Sequence, residues 1–238
     1  MKILSLESSA KPASAAVIED GRLLSLEYRN TGLTHSQTLL PMAAAALTAA
    51  GLAPADIDVF AVVNGPGSFT GIRIGVASVK GLAQPFNTPC VGVSTLEAIA
   101  YPFMYSNSRV IALMDARCSQ FYEAEFISDG KTLARVSEDD AILISELDAR
   151  VSSYGGDTVI FAGDGALPAY TQLHEKHPNI ILAPEGTRYQ RADSAAFIAL
   201  REAEAGNTVS YGELCPVYLR VPQAERELKA KRAEPDTP

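Results

Sequence analysis

Short runs in which apolar positions dominate open the chain: residues 3–6, 14–18 and 23–28 each have strand length, and Asp20-Gly21 sits where a two-residue hairpin turn belongs. The period then changes. Residues 34–50 carry Leu39, Leu40, Met42, four consecutive alanines at 43–46 and Leu47, a helical stretch with no polar face. A strand over 58–63 follows, then a helix ending near Ala83, a strand over 90–93 and a helix opening at Ser94. The predicted order is β-β-β-α-β-α-β-α.

The pattern restarts in the second half. Residues 110–114, 121–127 and 132–136 predict three further strands, with Asp129-Gly130 in the turn. Glu7 and Asp115 each stand just past the first strand of their set, and the turn aspartates lie 13 and 14 residues further on. The chain therefore reads as a duplication. A helix over 145–152, a strand over 158–162 ending in Gly163-Asp164-Gly165, and a long helix over 192–205 complete the second copy. The expected division is an N-terminal unit over 1–104, a C-terminal unit over 105–221, and a charged tail over 222–238 that frays.

The middle of the first copy reads VVNGPGSFTGIRIGVASVKGLA, a strand that breaks into Gly-Pro-Gly and restarts as a helix. Such turns often cradle phosphate. Here the flanking helices are too bare for that to be the whole story. No residue from Asn30 to Ala55 is formally charged, and only Arg73 and Lys80 are charged between Ser68 and Ala83. Two helices apolar on both faces and lying on the outside of one domain would leave a patch larger than monomers tolerate. A covering protein is expected, with Gly65-Pro66-Gly67 as the turn that aims the second helix and Ser68 as its N-cap. In this scheme the small residues Gly71 and Gly75 admit a partner helix, while Val76 and Val79 pack on the sheet. The alternative is that both helices are internal, sandwiched by the second unit.

Composition narrows the function classes. Twenty Lys plus Arg against 28 Asp plus Glu leave a formal charge of −8, against a nucleic-acid-binding surface spread over the whole molecule. Three scattered cysteines form no CxxC pair, which points to a reduced, cytoplasmic protein. The apolar run before Glu7 is too short for a signal peptide or a membrane span.

An acid at the tip of each first strand plus a glycine turn after a later strand is the layout of the actin-like ATPase and sugar-kinase superfamily, an α/β fold of two duplicated subdomains. Glu7, Ser8, Asp115, Gly163, Asp164 and Gly165 are the nucleotide-binding candidates. The first loop, Glu7 through Pro12, nevertheless lacks glycine, and Arg117 follows Asp115 by two residues. Glu7 and Asp115 read equally as solvated strand-end carboxylates, and Gly163-Asp164-Gly165 as an ordinary turn.

The segments 3–8, 35–37, 39–41, 64–71, 73–75, 92–96 and 115–117, with weaker echoes at 163–165 and 216–220, together resemble the TsaB (YeaZ) family. That family usually has Asp where this chain has Glu7. The resemblance implies a subunit without catalytic residues of its own that binds and activates TsaD, in transfer of threonylcarbamoyl to adenosine 37 of tRNAs reading codons that begin with A. It further implies pairing with TsaD as a heterodimer, TsaE as a further partner, self-pairing when alone, and tRNA contact only through the complex. No cofactor is expected to bind tightly; ATP or ADP with Mg²⁺ would sit at a composite interface. The expected partner interface comprises His35, Leu39, Leu40, Met42, Ala43, Phe69, Gly71, Arg73, Gly75, Val76 and Val79.

In the related TsaD, the corresponding helix carries a His-xxx-His metal site, and those positions fall here on Thr95 and Ile99. Neither is a good transition-metal ligand. Ser94 through Glu97 reads instead as a capping box. His174 and His177, three apart, read as a solvated helix end. The rival reading is a free-standing Mg-ATP-dependent enzyme using Glu7 and Asp115; a peptidase ranks last, because no nucleophile–base set is visible.

Overall fold

Asp20 and Gly21 both take left-handed backbone angles, φ 50° and 77°, the pair a type I′ hairpin turn demands. They join β2 (Ala13–Glu19) to β3 (Arg22–Arg29), and β1 (Lys2–Glu7) pairs antiparallel with β2. β4 (Val59–Gly65) and β5 (Cys90–Ser94) add in parallel, giving the order β3-β2-β1-β4-β5. The computed structural model describes residues 1–117 and 119–220. The tail expected over 222–238, and Cys118, lie outside the described residues.

Strand alternation sends β1 residues to two different cores. Leu4 and Leu6 face α1 (His35–Ala50) and α2 (Phe69–Ala83), while Ile3 faces α7 (Ala192–Glu204). Both faces are therefore covered, and apolar residues recur on each.

The second sheet repeats the plan. β6 (Arg109–Asp115), β7 (Gln120–Ser128), β8 (Leu133–Arg135), β10 (Val159–Ala162) and β11 (Ile180–Leu182) run in the order β11-β10-β6-β7-β8. Each strand takes the position of its counterpart in the first sheet, so the duplication is a property of the fold. Two sheets of matching strand order are what the expected actin-like α/β architecture of two subdomains requires.

Several elements depart from the sequence pattern. The third strand of the second copy, expected over 132–136, is shortened to β8, and β9 (Asp140–Leu143) pairs with the other end of β7. α4 (Ile144–Ser153) lies near its predicted place. α5 (Ala166–Leu173), β11 and α6 (Glu185–Arg188) were not predicted; each is eight residues or fewer, too short for a period to emerge. The copies also exchange cover. α3 (Thr95–Ala100), from the first half, places Leu96, Ile99 and Ala100 in the core of the second sheet, and α7, from the second half, packs on the first. A cut at residue 104 would strip each sheet of a helix.

Candidate functional site

The ends of β1, β4, β6 and β10 meet at one interlobe cleft of about 1020 Å³, and the turns leaving them carry the residues singled out in the sequence. At its base the first loop folds tightly against α2. The Ser8 hydroxyl donates to the Gly71 carbonyl at 2.9 Å, and a Cβ at Gly71 would stand 2.0 Å from the Ser8 carbonyl oxygen. A Cβ at Gly75 would likewise meet the Ser8 hydroxyl, at 2.7 Å. These glycines admit the chain's own loop, not a partner helix as the sequence had suggested.

Glu7 is not a solvated strand-end carboxylate: it is fully buried. Its Oε1 accepts from the Ser9 amide at 2.6 Å and the Ser9 hydroxyl at 2.7 Å, while Oε2 has no partner. Loss of hydration pushes its pKa up to about 7, against the opposing pull of those hydrogen bonds. The buried side chain of Gln190 faces Glu7 closely enough to favour its charged form, though neither of its polar atoms meets the geometry of a full hydrogen bond. Across the cleft, Asp164 is pushed up to about 6 by burial, and its Oδ1 accepts from the Asp115 amide at 3.2 Å.

The glycines around Asp164 serve packing. Gly163 has φ +104°, and a Cβ there would meet the Leu113 carbonyl oxygen at 1.9 Å; a Cβ at Gly165 would meet Met114 and Phe121 at 2.9 Å. Four of the turn amides are committed within the chain. Ser68 N donates to Ser9 O at 2.6 Å, Gly163 N to Arg188 O at 2.7 Å, Gly165 N to Leu113 O at 3.0 Å and Arg117 N to Asp115 Oδ1 at 2.7 Å. A fully buried Glu7 whose Oε1 already accepts two hydrogen bonds is a poor Mg²⁺ ligand. Glu7 and these four amides are therefore not free to form a Mg-nucleotide cradle.

Above the cleft, α1 and α2 lie side by side, neither wholly internal. Leu39, Met42 and Ala43 on α1, and Gly71, Gly75, Val76 and Val79 on α2, face the sheet and are buried in the chain's own core. They have no surface to offer a partner, so the expected interface shifts by one helical face. Outward stand Leu40, Pro41, Ala44 and Thr48 on α1, and Thr70, Arg73, Ala77 and Gly81 on α2, with Leu40 48 % exposed. His35, partly buried, bonds the Ala10 carbonyl through Nε2 at 2.7 Å. Thr34 precedes α1 without a side-chain cap, whereas Ser68 caps α2 through the Gly71 amide at 3.3 Å.

A strap the sequence did not reveal crosses this region. Val217 N donates to Asn64 O at 2.8 Å, and Asn64 Nδ2 donates to Cys215 O at 3.0 Å. Tyr218 stacks on Phe69 with ring centroids 4.2 Å apart, and the Arg73 guanidinium lies over Phe69 while its Nε donates to the Tyr218 hydroxyl at 2.8 Å. Arg220 donates to Ala116 O at 2.6 Å, reaching the second lobe. These partners are more than 100 residues apart, so no local period could signal them.

Thr95 and Ile99 are both fully buried at the start and middle of α3. Half of the predicted capping box forms. Ser94 Oγ accepts from the Glu97 amide at 3.3 Å, but the Glu97 carboxylate turns away to Arg201 at 2.8 Å and Arg135 at 3.7 Å. Ser94 Oγ also donates to Asp139 at 2.7 Å. Ser94→Ala is therefore expected to lower stability by about 1 kcal/mol in a urea titration, and an unchanged midpoint would show that the cap contributes nothing. His177 is not solvated: it is buried, with Nε2 against Asp148 Oδ1 at 2.6 Å, and His174 instead bonds the Tyr170 carbonyl. Among the described residues, no three His, Cys, Asp or Glu side chains cluster as a metal site would, and no helix is long and apolar enough to cross a membrane.

Known proteins share this arrangement. A family model described as TsaD, tRNA N6-adenosine threonylcarbamoyltransferase, matches residues 29–191. The tRNA threonylcarbamoyladenosine biosynthesis protein TsaB of Escherichia coli K12 is 32 % identical, over 97 % of this chain and 100 % of that one. YeaZ from Pseudomonas aeruginosa superposes with a TM-score of 0.77 at 27 % identity, over 92 % of this chain and 99 % of the other. The activator of 2-hydroxyisocaproyl-CoA dehydratase from Clostridium difficile superposes with a TM-score of 0.50 at 12 % identity, over 91 % of this chain and 99 % of that one, a likeness of fold alone.

Proposed function

This chain belongs to the TsaB family of tRNA threonylcarbamoyladenosine biosynthesis proteins, and from that premise we propose that it is a subunit without chemistry of its own, which docks on TsaD and activates it. The observation that carries this reading is the outward surface of α1 and α2. Leu40, Pro41, Ala44, Thr48, Thr70, Ala77 and Gly81 are all uncharged there, and Arg73 is the exposed charge among them. In a chain carrying 48 charged Asp, Glu, Lys and Arg residues out of 238, so sparse a two-helix surface is what a protein interface needs. Specific interfaces bury roughly 800 Å² per partner, an area two adjacent helices of this length can supply.

The committed amides and the buried Glu7 support the absence of chemistry, and they count against the rival free-standing ATPase. In this reading ATP or ADP with Mg²⁺ acts only at a composite seam with the partner, TsaE joins the assembled complex, and two copies pair through the same helices when TsaD is absent. The transfer to adenosine 37 of ANN-decoding tRNAs is TsaD's chemistry.

Ala44→Glu combined with Ala77→Glu tests the docking, because both side chains point outward and neither enters the core. The double variant is expected to melt at the wild-type temperature and to lose TsaD capture by at least ~100-fold, the scale of a buried unpaired charge at an interface. Stimulation of threonylcarbamoyl transfer by TsaD should fall in parallel. Capture at the wild-type level by the folded variant would overturn the proposal.

A further inference from the structure

We propose that the interlobe cleft is a seat for the phosphodiester backbone of RNA, so that this chain contributes its own cations to holding the tRNA; the inference rests on the reading of the protein as TsaD's docked partner. Lys11, Arg73, Arg117 and Arg220 line the cleft against the carboxylates of Asp115 and Asp164. Four cations against two carboxylates is a local positive excess in a chain whose formal charge is −8. Among the described residues, none of the four has a carboxylate within ion-pair distance, and neither has Arg29 at the end of β3, whereas Arg22, Arg109, Arg135, Arg150, Arg188, Arg191 and Arg201 do. Unpaired cations lining one cleft of an acidic protein mark an anion's place.

The type of anion follows from which groups are free. A mononucleotide is held by clustered backbone amides, and here those of Ser9, Ser68, Gly163, Gly165 and Arg117 are already bonded within the chain. The cleft's exposed positive side-chain charge outside the α1–α2 docking face is carried by Lys11 on the first loop and Arg117 on the facing turn. Long cations along an open groove suit a polymer backbone that passes across them. Arg117 is fixed in a left-handed conformation, φ 61°, by the hydrogen bond from its amide to Asp115, so its presentation is built into the turn. At the rim, the stacked pair Phe69 and Tyr218 leaves Tyr218 39 % exposed, an aromatic face of the kind on which unpaired bases stack.

Lys11→Gln with Arg117→Gln tests this, since neither residue lies on the outward faces of α1 and α2. An unmodified tRNA transcript is titrated with the complex of this chain and TsaD over a range of salt concentrations. Partner capture should be unaffected, tRNA affinity at low salt should fall on the order of tenfold, and the slope of log K against log salt should become shallower by about 1.5, the share of two phosphate contacts. Lys131→Gln, in the exposed β7–β8 turn, should change neither. Unchanged affinity and slope in the double variant would overturn the proposal. Displacement of the RNA by equimolar Mg-ATP would overturn it too, making the cleft a mononucleotide site. Should the wild-type chain fail to capture TsaD, the docking reading fails separately. The same transcript is then titrated with the isolated chain at low salt, where loss of binding in the double variant supports the cleft and equal or absent binding overturns it.

Discussion

Gly71→Ala is expected to destabilise the protein by about 3 kcal/mol or more, a large part of the 5–15 kcal/mol that holds a typical domain together. The new methyl group would stand 2.0 Å from the Ser8 carbonyl oxygen, and a backbone atom cannot swing aside as a side-chain tip can. Ser8 is tied down in turn: its hydroxyl bonds the Gly71 carbonyl, and its neighbour Ser9 is bonded to both Glu7 and Ser68. Relief would require the first loop to lift from α2, breaking those bonds and exposing Glu7. The matched control is Gly81→Ala on the same helix, where a Cβ meets nothing within 4 Å. It should stabilise by about 0.5–1 kcal/mol, because alanine loses less backbone freedom in a helix. Urea titration of both variants checks the pair. Equal midpoints would mean that the loop does not rest on α2.

Stability should fall, rather than rise, as pH is raised from about 4.5 to about 7. The cause is Glu7, whose carboxyl is pushed from its ordinary 4.5 to about 7 by complete burial. Below about pH 4.5 the group is neutral in the folded and unfolded chains alike, and its burial carries no penalty. Between the two values the unfolded chain ionises freely while the folded chain holds its proton; above about 7 the folded chain carries the charge in the core. The accumulated cost is about 3 kcal/mol by the alkaline end. Asp164, pushed up to about 6, and Glu123, pushed up to about 7 by burial despite its ion pair with Arg150, act in the same direction. Glu7→Gln removes only the Glu7 share. Its amide oxygen can still accept from Ser9, and its nitrogen can donate to the unpartnered Gln190 oxygen. The variant should match wild type near pH 4.5 and exceed it by about 2–3 kcal/mol at pH 8. A wild-type profile that climbs from pH 5 to 8, or a Glu7→Gln chain weaker at every pH, would refute the burial of an ionisable group there.

Much of the architecture was written locally. The first Asp-Gly turn and the strands it joins, the position of the second, the extent of α2 and the Ser94 cap are each decided within a few residues, and they stand where the pattern placed them. The duplication was equally legible, because both copies carry an acid at the end of their first strand and the same strand sequence. The motifs around residues 3–8, 64–71 and 115–117 point to the family, and 32 % identity over 97 % of the chain agrees.

Facing was another matter. Composition gave both helices apolar residues on all sides, and only packing on the sheet distinguishes buried Leu39 and Val76 from outward Leu40 and Ala77. The same holds for Glu7, which has the sequence of a surface acid and the surroundings of a core residue.

The sequence by itself determined the element order, the repeat, the family and the scarcity of charge on α1 and α2, since each depends on neighbours close along the chain. The tertiary structure alone decided which face of each helix is outward, that Glu7 is buried, that α3 and α7 cross over to the other sheet, and that Tyr218 and Arg220 strap the cleft. Those outcomes depend on packing between elements, in places between groups more than 60 residues apart, such as Ser8 against Gly71 and Arg220 against Ala116. No periodicity carries such a contact, because it exists only once the elements have packed on one another.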